Sequence, residues 1–435
     1  MAEKVIKLPT LHASQAQIWR DRGRFNLIRC GRRWGKDVLQ NTISANYAAQ
    51  KKAIGLFAPE YKQLLEPYTA LKELLAPIRK RSSSKDMRIE TIGGGVIDFW
   101  HVNDNELAGR GREYDHVFIN EAAFTKSPMM LQDVWPKAIR PTLLVRKGSA
   151  WVMSTPNGID PENFFYACAH DESLGFKEFH APTIANPLIT QEDMDYERQT
   201  NHPLVYTQEY EGEFVDWAGV AFFSEASLLW QPSPDHKLEP VDYPNHCDMV
   251  FATIDTAVKD GKEHDGTAVV YCAVTRVGFP WQLVILDWDI VQIEGAMLDT
   301  WIPNVFRRLE ELAAMCKARK GSAGAFIEDK QSGSILLQQG RRNKWPVHPI
   351  DSKLTDAGKD GRAISISGYV HRGLVKFSKH AFTKTTMFKR SQRNHLWTQV
   401  TGFRIGDKDA AKRADDAFDA WAYCVAIALG NADGY

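Results

Sequence analysis

Arg29-Cys30-Gly31-Arg32-Arg33-Trp34-Gly35-Lys36-Asp37 is the stretch on which the reading of this chain turns. It follows a short apolar run, Phe25–Cys30, and opens a helical pattern, Lys36–Gln50. Glycines at 31 and 35 let backbone N–H groups turn inward and hold phosphate oxygens, and the start of a helix adds a favourable dipole. Lys36 is then placed to reach the β- and γ-phosphates of a nucleotide. Three residues separate Gly31 from Gly35, one fewer than in GxxxxGK[ST]. Alone, the stretch reads equally well as a helix cap, so its neighbourhood decides.

Outward from the loop, short apolar runs alternate with helical patterns. Ile54–Ala58, Val96–Trp100, His116–Ile119 and Ala150–Ser154 read as strands, Lys36–Gln50 and Tyr61–Leu75 as helices. Such alternation predicts a mainly parallel sheet. Tyr114–Ala123 is an apolar strand ending in Asn120-Glu121. P-loop ATPases usually end this strand in Asp-Glu, the Asp serving Mg²⁺ and the Glu polarising the attacking water. Glu121 suits the second task. Met153–Gly158 (MSTPNG) ends another strand and reads as a sensor loop or a simple turn.

A second α/β stretch begins near Cys247. Met249–Asp255, Ala268–Val274 and Gln282–Trp288 read as strands, followed by a helix over Glu294–Ala318, a strand at Ala325–Glu328 and a helix over Ala414–Leu429. Acids stand at the ends of these elements: Asp255, Asp265, Glu328, and Asp416 with Asp419 on one helical face. Carboxylates converging from separate elements are what a two-metal nuclease needs, and hard oxygen donors suit Mg²⁺ or Mn²⁺. Asp329 points to the other strand face and is left out. Lys330 and Lys359 are candidates to assist at the phosphate; His264 is near in sequence but reads first as a surface-loop histidine.

Together, GRRWGK (Gly31–Lys36), FAPEY (Phe57–Tyr61), VFINEAA (Val117–Ala123), STPNG (Ser154–Gly158), Pro182-Thr183 with Asn186-Pro187, and YTQEYEGEFV (Tyr206–Val215) resemble the large terminase subunit of tailed bacteriophages, the ATP-driven DNA-packaging motor. The resemblance runs nearly end to end. It implies an N-terminal P-loop ATPase domain (1–215), a linker (216–245) and a C-terminal RNase H-like nuclease domain (246–435). ATP would be held by Gln15 at adenine and by Gly31, Arg33, Gly35, Lys36, Asp37 and Asn120. Arg32 would lie near the γ-phosphate, and Arg110 or Arg112 would act as a finger on a neighbouring subunit. At the nuclease, Asp255, Glu328 and Asp416 would be direct ligands of two Mg²⁺ or Mn²⁺ ions, joined by Asp265 and Asp419. The implied partners are double-stranded DNA, a small terminase subunit and a portal protein. The subunits would form a ring on the portal and be monomeric when free, in the host cytoplasm and away from membranes.

Two positions depart from that family. Asp37 stands where Thr or Ser usually follows the loop Lys, and Asn120 where an Asp precedes the catalytic Glu. One reading is an exchange, with the carboxylate missing at 120 restored at 37 across one Mg²⁺. The other is a weakened ATPase, leaving a DNA-binding assembly module. For the chain as a whole a helicase-nuclease of repair or defence is the alternative, over which FAPEY and STPNG favour the terminase.

Bulk composition bears on the partner. The 435 residues carry 54 Lys+Arg against 54 Asp+Glu, and a zero balance looks unlike a DNA binder. The zero is a cancellation: residues 1–100 hold 18 basic against 9 acidic, 151–216 hold 2 against 13, and 341–413 hold 17 against 5. The last block mixes Lys and Arg with Trp345, Phe377, Phe388, Trp397 and Phe403, a composition suited to gripping phosphates of any sequence. Lys389, Arg390 and Arg393 are its candidate contacts. The six cysteines show no CxxC spacing, which argues against a zinc site and for reduced thiols. The longest apolar run, near Ala420–Leu429, is far short of the ~20 residues that span a bilayer. Trp100, Trp151 and Trp421 fit the core, while Trp34 lies inside the phosphate loop.

Overall fold

The computed structural model describes residues 5–103, 105–217, 222–233, 235–256, 266–276, 280–292, 298–329, 332–389, 391–406 and 416–430. The chain divides into two compact units: Met1–Arg198 with Pro203–Asp216, and Gln199–His202 with Trp217–Tyr435.

Unit one is built on eight strands: β1 (Phe25–Cys30), β2 (Ala53–Ala58), β3 (Arg79–Ser83), β4 (Arg88–Thr91), β5 (Val96–His101), β6 (His116–Asn120), β7 (Ser149–Ser154) and β8 (Lys177–Ala181). Their order is β3-β4-β5-β2-β6-β7-β1-β8. The six from β5 to β8 are parallel, and β3 and β4 extend one edge antiparallel. The central strands are apolar on both faces because both faces are covered. Leu39, Ile43 and Leu71 of the Lys36–Ala49 and Lys62–Leu74 helices pack with Ile28, Leu56 and Phe118. Leu131, Trp135, Ile139 and Phe165 pack with Leu27, Val117 and Val152. β7 lies between β1 and β6, pairing Ser154 with Arg29 and Met153 with Asn120. The carboxyl ends of all three strands therefore meet at one edge, where open α/β sheets bind ligands.

The sequence reading missed β3, β4 and β8. β3 and β8 are polar and largely solvent-facing, and β4 is only four residues long with Ile89 as its one apolar residue, so no apolar run marks them.

Unit two has a six-stranded sheet: β9 (Met249–Asp255), β10 (Thr267–Val274), β11 (Leu283–Val291), β12 (Ser322–Ile327), β13 (Val347–Pro349) and β14 (Val375–Phe377), ordered β13-β12-β9-β10-β11-β14. β9, β10 and β11 are antiparallel neighbours, and β12 runs parallel to β9. The Leu298–Met315 helix seats Ile302, Val305, Leu309 and Leu312 in the core with β9 and β10 residues. The almost wholly buried Asp416–Leu429 helix packs on β10 and β9, with Thr253 Oγ1 donating to Ala420 O at 2.6 Å. The expected strand at 325–328 begins earlier and stops before Glu328. The basic block holds structure that the sequence reading missed: a Gly358–His371 helix, β14 and a hairpin of β15 (Thr386–Phe388) and β16 (Ser391–Arg393).

Residues 222–233 and 235–245, within the stretch read as a linker, carry elements of unit two. They form a short helix at Glu225–Leu228 and bridges Trp230–Glu239 and Val241–Ser378. No described helix is long and apolar enough to cross a membrane.

Candidate functional site

In unit one the loop leaves β1 and enters the Lys36–Ala49 helix through Arg33 and Gly35, both left-handed (φ 60° and 104°). Gly31 has no room for a side chain: a Cβ there would overlap Tyr210 O and Thr183 Oγ1. The loop is held from outside. Thr183 Oγ1 donates to Arg32 O at 2.6 Å and Asn186 Nδ2 to Arg33 O at 2.7 Å, while Arg32 N donates to Glu209 O at 2.7 Å. Buried Gln15 donates from Nε2 to Gly35 O at 2.8 Å. Trp34 is fully buried, its indole N–H donating to Ser14 Oγ at 3.3 Å, so it is core that ties the loop to the N-terminal helix. The first N–H groups of the Lys36–Ala49 helix have no partner within that helix, which suits them to an anion.

Facing this helix start is the end of β6. Lys36 Nζ lies 2.8 Å from Glu121 Oε1. Burial works against the Lys36 ammonium, but Glu121, Cys30 and Asp37 hold its pKa above the usual value. Glu121 sits at φ 52°, a left-handed conformation costly for a residue with a side chain, of the kind that clusters at functional sites. Asn120 is buried; its Nδ2 donates to Asp37 Oδ1 at 2.6 Å and its Oδ1 accepts from Glu121 N at 3.0 Å. The STPNG loop braces the same turn, with Ser154 Oγ accepting from Ala123 N and Asn157 Nδ2 donating to Ala123 O, both at 3.3 Å. Arg32 is 67% exposed, its Nε 3.4 Å from Glu209 Oε2. Arg110 is exposed, and Arg112 Nε lies 3.8 Å from buried Asp98.

In unit two, β9 ends at Asp255, and Ile254 pairs with Ile327, so Glu328 emerges beside it. Burial, then the charges of Asp419, Asp416 and Glu328 and a hydrogen bond with Glu328, push the Asp255 carboxyl well above its ordinary pKa. Asp416 Oδ2 accepts from Gly266 N at 2.9 Å. Asp419 Oδ1 accepts from buried Arg362 Nη2 at 2.6 Å, and Lys359 Nζ lies 3.5 Å from Asp419 Oδ2. Four of the five expected acids are thus brought to one end of the sheet. Among the described residues, however, no three His, Cys, Asp or Glu groups stand close enough together to hold a metal ion. Unneutralised carboxylates repel, and Asp419 is held by an arginine instead. Asp265, His264, Lys330 and Arg390 lie outside the described residues. Asp329 takes a bond from Ser334 Oγ at 2.6 Å.

Arg362 was missed: nothing in its neighbours Asp360-Gly361 and Ala363-Ile364 marks an arginine as buried, although Ala363, Ile366 and Val370 at helical spacing mark a buried face beside it. Thr183, Asn186 and Glu209 were noticed only as part of a resemblance, and their grip on the loop needs the fold to be seen. All six cysteines are buried and free, and Cys272 and Cys424 place their sulfurs 3.0 Å apart.

No protein-family model matches the chain. It is 26% identical to the large terminase subunit of Escherichia phage T5 over 206 residues, 46% of either protein. It is 32% identical to that of Thermus phage G20c over 143 residues, 28% of this chain and 27% of the relative. These matches span less than half the length of either relative. Among solved structures, the large terminase of a thermophilic bacteriophage, in complex with ADP, aligns over 97% of this chain and 100% of its own with a TM-score of 0.61 at 12% identity. The same terminase with ATP-gamma-S aligns over 96% and 99%, TM-score 0.56 and 11% identity. The fold is a mixed α/β arrangement like that of phage large terminases. The curated relatives bear the same name, as the sequence resemblance implied.

Proposed function

We propose that this chain is the large subunit of a phage DNA-packaging motor, hydrolysing ATP in unit one and cutting DNA in unit two. One observation carries the reading: Lys36 and Glu121 meet at 2.8 Å where a glycine loop and a neighbouring strand end converge. In the nucleotide site, Lys36 leaves Glu121 for the phosphates. Glu121, released, orients the attacking water. The amides at the helix start and exposed Arg32 and Arg33 take up phosphate charge, and Gln15, already holding Gly35, lies at the adenine side. Arg110 reaches a neighbouring subunit, since Arg112 is turned toward Asp98.

The acids of unit two fit divalent cations by donor chemistry: all are oxygen donors, and the crowding that raises Asp255 is relieved by positive charge. Asp255, Glu328 and Asp416 would hold two Mg²⁺ or Mn²⁺ ions with Asp265, and Asp419 would join once Arg362 releases it. Bound there, the ions supply activation of water and stabilisation of the leaving oxygen. Exposed Lys389 and Arg393 grip the phosphate backbone, with double-stranded DNA as substrate and a small terminase subunit and portal as partners.

The test is ATP hydrolysis with DNA present by the full chain and by Glu121→Gln. Loss of turnover by about 10²–10⁴-fold with nucleotide binding retained is expected. Equal turnover in both proteins overturns the assignment.

A further inference from the structure

Asp37 and Asn120 are the two positions where the nucleotide loop leaves the P-loop pattern, and they touch each other. P-loop enzymes hold Mg²⁺ with a Ser or Thr hydroxyl after the lysine and a carboxylate at the facing strand end. Here the carboxylate is on the helix and the amide on the strand. Both ends of the Asn120 amide are engaged: Nδ2 donates to Asp37 Oδ1 at 2.6 Å, and Oδ1 accepts from Glu121 N at 3.0 Å. Asn120 is buried with both ends of its amide already bonded within the protein, whereas Asp37 is exposed and bonded to Asn120 through one of its two oxygens.

We infer that Asp37 is the cation-binding carboxylate of the nucleotide site and that Asn120 is its positioning residue, not a ligand. The inference rests on the reading of unit one as a nucleotide site. It also explains why the two departures occur together. A neutral amide can donate to Asp37, whereas an Asp at 120 would put two carboxylates at hydrogen-bond distance, where without a cation one is held protonated and a cation must first displace that proton. Thr at 37 with Asn at 120 leaves neither position with a carboxylate. Each single reversion therefore damages cation binding, and both together restore it by moving the carboxylate back to the strand.

The experiment is fluorescence titration of the full chain with a mant-labelled ATP, in EDTA and in Mg²⁺. The readout is the affinity gain that Mg²⁺ brings, measured without turnover. Asp37→Thr and Asp37→Asn should reduce that gain to within about twofold of the EDTA value. Asn120→Asp should weaken it about tenfold, and Asp37→Thr/Asn120→Asp should return it to within about threefold of wild type. The gain is taken as a ratio within each variant, so any change common to EDTA and Mg²⁺ cancels, and retained binding in EDTA reports an intact loop. A wild-type gain retained by Asp37→Thr or Asp37→Asn overturns the assignment, as does a double variant no better than the worse single. A wild-type chain that binds no nucleotide in EDTA or Mg²⁺ defeats the nucleotide-site reading itself, and this assignment with it.

Discussion

At the residue scale, two ion pairs mark the two proposed sites. Lys36 and Glu121 neutralise each other across the nucleotide loop, with the left-handed backbone at Glu121 costing about 1–3 kcal/mol. The Arg362–Asp419 pair is buried at the acidic cluster, with Arg362 Nη1 also donating to Tyr423 OH at 2.8 Å. Removing one partner of a buried ion pair leaves an uncompensated charge, so Arg362→Met should destabilise unit two by about 3–5 kcal/mol. Millimolar Mn²⁺ should recover part of this, because a ligand that binds only the folded state stabilises it. Urea unfolding with and without Mn²⁺ checks both parts, and an unchanged midpoint in the variant would contradict the burial argument. Glu121 was legible in the sequence because a polar pair closes an apolar strand. Arg362 was not, since nothing beside it in sequence marks an arginine as buried, and Asp419 and Tyr423 meet it only in space.

At the scale of elements, the loop is fixed by segments distant in sequence. Gly31→Ala would push its Cβ into Tyr210 O and Thr183 Oγ1, so it should cost unit one about 1–3 kcal/mol and loosen nucleotide binding. Denaturant unfolding and the same mant-ATP titration measure the two effects, and a wild-type stability would show that the backbone yields there. A second element-level test concerns β14. Lys376 on this strand is buried, and its Nζ donates to Ser227 O at 2.9 Å and Leu229 O at 2.8 Å. Desolvation lowers its pKa from 10.5 to about 8. Between those values the unfolded chain binds more protons than the folded one, so stability rises with pH. The cost is complete below pH 8 and relieved toward 10.5. Wild type should gain stability relative to Lys376→Met between about pH 7.5 and 9.5; a difference independent of pH would contradict this. Strands β1 and β9 were read at their observed limits because burial on both faces makes them mainly apolar and polar or turn residues bound them. β3 and β8 were invisible, since edge strands facing water carry no apolar run, and β4 is too short to show one. The Gly358–His371 helix was hidden by its glycines at 358, 361 and 368, which are poor helix formers.

For the whole molecule, each unit has its own sheet and its own cluster of polar groups at the carboxyl ends of strands. The zero net charge misled until its position along the chain was read: the basic block falls in unit two, which holds the acidic cluster, and the acidic block falls in unit one. If the two chemistries belong to separate units, they must be separable by mutation in the intact chain. The most direct measurement is a paired assay of ATP turnover and plasmid cleavage, with Mg²⁺ or Mn²⁺, on wild type, Glu121→Ala and Asp255→Ala. The account predicts that wild type does both, that Glu121→Ala loses ATP turnover yet still cuts, and that Asp255→Ala keeps DNA-stimulated ATP turnover yet no longer cuts. Turnover unaffected by Glu121→Ala, or cutting unaffected by Asp255→Ala, would contradict it.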